Sequence, residues 1–233
     1  IDGYTQAGAK ANTQENGTNA KLMIEIDGTD AGAAASGLFV QASDVTIRGL
    51  VINRFEGAQI YVNSVDRAVI EGNFLGPDHT GRVFLDNVGG ISTLTGIVLS
   101  AADNCRIGDA TLAARNLISG NGQNGIRMRS RAENNVILGN LIGVSADGGD
   151  LGNVGTGIVA GGKSTIGGTG PLEGNVIAYN RIGVSVGLSG NTIRGNSIFE
   201  NDEIGLDLAG GALKIGQQVN KTDPGDADTG STG

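Results

Sequence analysis

Short runs of alternating apolar and polar residues recur along the chain, most of them opening on glycine. GLFV starts at Gly37, GAQIYV at Gly57, GIVL at Gly96, GIRM at Gly125, GIVA at Gly157, GVSV at Gly183 and GLDL at Gly205. The alternation has a period of two, the signature of a strand with one face inward. Glycine and β-branched residues at this density argue against helix. Each run is followed by a polar turn, a second strand of N-X-I-X-G-N type, and a short third strand. AVIEGNFLG (68–76), NVILGNLIG (135–143) and NTIRGNSIFEN (191–201) carry this second phrase. Three strands are completed before the pattern returns, which excludes a meander of two-residue hairpins.

The marker glycines lie 20 to 39 residues apart, and the shortest intervals, 20 and 22, define the bare unit. A unit of that length with three strands is one turn of a coil, and coils bury their apolar side chains only against their neighbours. The predicted fold is all-β, a right-handed parallel β-helix solenoid with three short strands per coil and about seven to nine coils. Longer units contain inserted loops. GPDHTGRVFLDNVGGI (76–91) resembles GVSADGGDLGNVGTGI (143–158), and NCRIGDATLAARNLISGN (104–121) resembles STIGGTGPLEGNVIAYN (164–180). Residues 1–35 read as an N-terminal coil or edge segment, 36–210 as the β-helix, and 211–233 as an acidic tail or cap remnant.

The Gly-Asn pair reads as a corner. Glycine reaches positive φ, and asparagine amides at equivalent corners can bond in a ladder. Gly72–Asn73, Gly139–Asn140 and Gly195–Asn196 form the expected ladder, with Asn121, Asn180 and Asn201 as a second set.

Composition supports this picture. Glycine accounts for 42 of 233 residues, well above the usual level of roughly 7%. Tryptophan is absent and aromatics make up 3%, so a core of aliphatic residues is expected. A net charge of −8 argues against a nucleic-acid partner, and no apolar run is long enough for membrane insertion. The opening Ile1-Asp-Gly-Tyr reads as the middle of a structural element, so a processed or excised chain is expected. The single Cys105 is expected to be a small buried residue.

The segments IDGYTQAGAKANTQ, RNLISGNG, IGGTGPLEGNVIAYN and NSIFENDEIGLDL resemble those of secreted bacterial right-handed parallel β-helix repeat proteins of the pectin-lyase-like superfamily. The resemblance covers about residues 1–230. It implies an extracellular or cell-surface bacterial protein, often without an enzyme role. Polysaccharide lyases, hydrolases and epimerases share that superfamily, so catalytic residues have to be sought.

Alternation assigns the outward positions. The Gly-led strands present Phe39/Gln41, Gln59/Tyr61, Val98/Ser100, Arg127/Arg129, Val159/Gly161, Ser185/Gly187 and Asp207. The second strands present Arg48, Glu71, Ser119, Leu138, Ala178 and Arg194. Neither column contains the paired acids a glycosidase needs. No catalytic residue is therefore assigned. If an enzyme is present, its groove lies beside Arg127, Arg129 and Arg131, with Phe39, Tyr61 and Tyr179 as possible sugar platforms. His79 beside Asp78 is too little for a metal site or a triad. No cofactor is expected; Asp223, Asp226 and Asp228 in DPGDADTG are the calcium candidates. The expected function is an extracellular structural or adhesive scaffold, associating with itself end to end or laterally, or with a surface glycan. A polysaccharide lyase acting on acidic glycans and a non-catalytic glycan-binding module are the alternatives.

Overall fold

A computed structural model describes residues 1–85, 95–129 and 131–208. Among these residues, twenty strands follow one another in a fixed cycle through three all-parallel sheets. Sheet 1 stacks Ile24–Asp27, Leu50–Asn53, Phe74–Leu75, Leu117–Ile118, Leu141–Ile142, Val176–Ala178 and Ser197–Phe199. Sheet 2 holds the Gly-led strands Leu38–Val40, Ala58–Asn63, Thr95–Ser100, Ile126–Met128, Thr156–Ala160, Ile182–Val186 and Ile204–Asp207. Sheet 3 stacks Thr46–Arg48, Val69–Glu71, Arg106–Gly108, Val136–Leu138, Thr165–Ile166 and Thr192–Ile193. The fold is a right-handed parallel β-helix with three strands per coil, the handedness that twisted strands impose on parallel crossovers.

Each sheet contributes one aliphatic column to the core. In sheet 3, Ile47, Ile70, Ile107, Ile137, Ile166 and Ile193 are in register from coil to coil. In sheet 1 the column is Ile52, Leu75, Ile118, Ile142, Ile177 and Ile198. In sheet 2 it is Leu38, Ile60, Ile97, Ile126, Ile158, Val184 and Leu206. Nearly all of these middle-coil side chains are fully buried. Stacked identical residues on a pleated surface bury their β-branches against one another, which is where isoleucine packs best.

The Gly-led phrase has a spatial cause. A Cβ on Gly157 would lie 2.7 Å from the Gly183 carbonyl oxygen, 2.9 Å from Ile177 Cγ2 and 3.0 Å from Asn180 Nδ2. At Gly96, Gly125, Gly157 and Gly183 the entry to the sheet 2 strand passes between the next coil's backbone and a corner asparagine, leaving no room for a side chain. The register corrects one marker. Ile60 opposes Ile97, so Gln59, not Gly57, occupies the glycine column in the second coil. Gly57 belongs to the preceding turn, where its N–H donates to the Ala35 carbonyl at 2.8 Å. Gln59 is buried and turns into the corner, with Nε2 3.4 Å from Asn121 Oδ1.

A second apolar layer covers the outside of sheet 1. Val51, Phe74, Leu117 and Leu141 face outward there, under Leu22, Val144 and Ala146. The N-terminal strap (10–23) and the insertion at 143–158 supply this cover, with Gly81 of the first insertion against Leu117 and Phe74. Thr18 N–H donates to the Ala146 carbonyl and Ala146 N–H to the Gly81 carbonyl, both at 2.8 Å. Arg115 pins the strap: its Nη1 donates to the carbonyls of Gln14, Glu15 and Gly17, and its Nε to that of Gly139. Burial pushes the Arg115 guanidinium below its ordinary pKa. Alternation along sheet 1 made these outward positions apolar, but only the folded strap shows what covers them.

Candidate functional site

The corner asparagines are hydrogen-bonded from coil to coil. Between sheets 3 and 1, Asn73 Nδ2 donates to Asn116 Oδ1 (3.2 Å), Asn116 to Asn140 (2.9 Å), Asn140 to Asn175 (3.0 Å) and Asn175 to Asn196 (2.8 Å). Between sheets 1 and 2, Asn121 donates to Asn153 (2.8 Å), Asn153 to Asn180 (2.8 Å) and Asn180 to Asn201 (3.1 Å). Gly72, Gly139 and Gly195 precede rungs with φ near +65°. A Cβ on Gly195 would lie 1.8 Å from the Gly168 carbonyl oxygen. Asn116, Asn153 and Asn175 are rungs outside the two expected sets; Asn153 and Asn175 follow Gly152 and Gly174, whereas Asn116 lacks a preceding glycine. In two of these coils an inserted loop separates the strand from its asparagine, so Asn116 follows Arg115 and Asn175 follows the loop after Ile166. These asparagines carry architecture: their amides satisfy buried backbone carbonyls that the turns leave open.

The outward column of sheet 2 runs in register through Phe39, Tyr61, Val98, Arg127, Val159, Ser185 and Asp207. One groove of about 750 Å³ opens on its N-terminal half, lined by Phe39, Glu56, Tyr61, Val98, Arg127 and Arg129 among others. Phe39 and Tyr61 stack with centroids 5.2 Å apart and planes at 28°. The Arg129 guanidinium carbon lies 5.4 Å from the Tyr61 ring centroid, and its Nη1 donates to the Tyr61 hydroxyl at 3.1 Å. Such a stack orients the cation and stiffens the ring. Arg127 is exposed and makes no ion pair or hydrogen bond among the described residues. The floor is a parallel sheet, so these positions are held by main-chain pairing rather than by a loop.

Four expectations change here. Arg131 does not join Arg127 and Arg129: the strand ends at Met128, and Arg131 sits in the following turn with φ 67°. Glu56, from the turn before Ala58–Asn63, places a carboxylate at the groove that the alternation within strands could not reveal. Tyr179 lies on another face, packed edge-on against Phe199 at 6.0 Å. In the second-strand column, Ser119 and Ala178 belong to sheet 1, and Gly108 and Gly167 take their places beside Leu138 and Arg194. The repeated N-X-I spacing concealed this, because RNLIS and GNVIA are third strands displaced by insertions.

Elsewhere the titratable groups serve the scaffold. Asp2, Arg48, Glu71, Arg106 and Asp109 form a chain of ion pairs across the outside of sheet 3, at 2.7, 3.6, 3.1 and 2.7 Å. Asp78 orders its loop by accepting from the Thr80 hydroxyl and the Arg82 and Val83 amides. Burial opposes ionisation of its carboxyl, yet these donors hold it below the ordinary range. His79 is exposed, with Nδ1 3.9 Å from Asp78 Oδ2. Cys105 is buried in the core, and burial pushes its thiol up. No cluster of three or more metal-ligating side chains is present among the described residues. Asp223, Asp226 and Asp228 lie outside the described residues. Among the described residues no helix is long and apolar enough to cross a membrane.

A β-helical solenoid bearing a shallow, cationic, aromatic-lined groove on one sheet is the class of protein that fold and site define. No family model and no curated protein matches the chain.

Proposed function

We propose that the protein is an extracellular, adhesive β-helix scaffold of bacterial type that holds a saccharide in the groove over sheet 2 without turning it over. One observation carries the reading: the Phe39–Tyr61 stack lies beside two arginines on a rigid floor. Aromatic faces take the apolar face of a sugar ring, and guanidinium groups take its oxygens. The groove carries a single carboxylate, Glu56, among the described lining residues, whereas glycoside hydrolysis uses two at a set separation. The extracellular and bacterial parts of the proposal rest on the resemblance in the coil phrases.

The competing reading is a polysaccharide lyase, which exposed Arg127 favours. Incubation with uronate polysaccharides separates the two. Binding seen by calorimetry, with no rise in absorbance at about 235 nm from unsaturated uronates, is the expected result. A rise that is lost in Arg127→Ala would replace the proposal with a lyase. Self-association is a further part of the scaffold reading. Ile24–Asp27 and Leu38–Val40 are the first strands of their sheets among the described residues, and an edge strand can template pairing with a second copy; a sedimentation profile independent of protein concentration would remove this part.

A further inference from the structure

We infer that the groove selects an oligosaccharide lying along the solenoid axis, with an anionic group seated on Arg127 two to three sugar units from a ring seated on the Phe39–Tyr61 shelf. The inference rests on the saccharide reading above and adds ligand charge, length and direction to it.

The argument is geometric. The outward column places Tyr61, Val98 and Arg127 on successive coils, with Phe39 one coil before Tyr61. At roughly 4.8 Å per coil, Arg127 stands about 10 Å from the Tyr61 position and about 15 Å from Phe39, a span of about two to three linked pyranose units. Val98 between them is apolar and buried at 4% exposure, and Arg129, on the Arg127 coil, reaches to Tyr61, so a middle unit meets apolar floor and a guanidinium already held by Tyr61. The two arginines differ. Arg129 is committed to Tyr61 through its hydroxyl and ring. Arg127 faces the groove without a protein partner among the described residues, and a free guanidinium matches a carboxylate or sulfate with two parallel donors. Beyond Arg127 the column turns to Val159 and Ser185, so the charged contact falls at one end of the ligand. The chain carries a net charge of −8, which leaves a cationic groove as the place where an anionic ligand is favoured over the rest of the surface.

The test uses four probes with the full chain: a trisaccharide carrying one uronate, its carboxyl-reduced neutral form, a sulfated counterpart, and free glucuronate. Tightest binding by the uronate or sulfated trisaccharide is expected, with the neutral form and free glucuronate each weaker by about tenfold or more, the scale of one lost charge-assisted contact. Arg127→Gln should erase the preference for the anionic over the neutral trisaccharide. Phe39→Ala should weaken both trisaccharides and leave glucuronate unchanged. Both side chains are exposed, so folding is preserved and circular dichroism verifies it. Equal binding of neutral and anionic trisaccharides, or glucuronate binding as tightly as the trisaccharide, overturns the inference while leaving saccharide binding in place. If no probe binds, the function proposed above fails with it.

Discussion

Replacing Asn140 by alanine tests whether the corner ladder holds the coils together. The Asn140 side chain makes four hydrogen bonds, three of them buried and one part-buried. Its Nδ2 donates to the carbonyls of Ile107 and Leu138, both at 2.9 Å, and to Asn175 Oδ1 at 3.0 Å; its Oδ1 accepts from Asn116 Nδ2 at 2.9 Å. Alanine strips a donor from two buried carbonyls and opens a small void. Asn116 keeps its bond to the Ile70 carbonyl, and Asn175 Oδ1 still accepts from the Asn140 main chain, so the loss is partial at those two rungs. At about 1 kcal/mol net per buried bond, with an added penalty for unsatisfied groups, the expected loss is about 3–5 kcal/mol. Urea unfolding followed by circular dichroism reads it as a fall in midpoint, with exposed Asn16→Ala as the reference. A midpoint shift no larger than that of Asn16→Ala would refute the assignment of stability to the ladder. Asn140→Asp sharpens the test. The carboxylate accepts but cannot donate; burial, with the Asn116 amide as its donor and three acceptor oxygens facing its second oxygen, raises its folded pKa above the unfolded value of about 3.9. Stability is then fullest below the unfolded pKa and is lost as pH rises towards the folded one. This variant should therefore be weaker at pH 7 than at pH 4.

Gly157→Ala should cost about 2 kcal/mol or more, because its Cβ meets backbone and Asn180 together; Gly162→Ala, with its nearest atom 3.5 Å away, should be near neutral in the same urea series. Arg115→Met should release the strap, seen as faster proteolysis within residues 10–20 while the core's far-ultraviolet signal persists. Arg48 and Arg67 hold the carboxyls of Asp2 and Asp44 below the usual range by hydrogen bonding. Their contribution is present above the unfolded carboxylate pKa of about 3.9 and is lost as pH falls through the lower folded values. The melting temperature should thus fall below about pH 4, less steeply in Asp2→Asn/Asp44→Asn. Cys105, buried with its thiol pKa raised, should resist thiol reagents until the coil is opened with denaturant.

The three-strand coil, an aliphatic core and the outward sequence Phe39, Tyr61, Val98, Arg127 were all legible in the chain. Their cause is local: a strand side chain points in or out by parity alone, and a coil of about 22 residues returns each parity to the same wall. Sheet membership was less legible. Ser119 and Ala178 were misplaced because insertions shift a third strand into the spacing of a second, and parity carries no record of which wall a strand joins. Asn116, Asn153 and Asn175 lie after inserted loops, so spacing from the preceding strand did not place them in a ladder.

Tertiary structure alone decided the contacts between segments distant in sequence. The Arg115 clamp on the strap, the apolar layer outside sheet 1 and the arrival of Glu56 at the groove each depend on where a turn or insertion comes to rest. Arg131, on the same parity as Arg127 and Arg129, left their face because the strand ended before it. Hydrophobic parity can specify a repeating wall from sequence because each coil meets the same environment; loops and corners meet a different neighbour at every coil, and only the stacked chain supplies it.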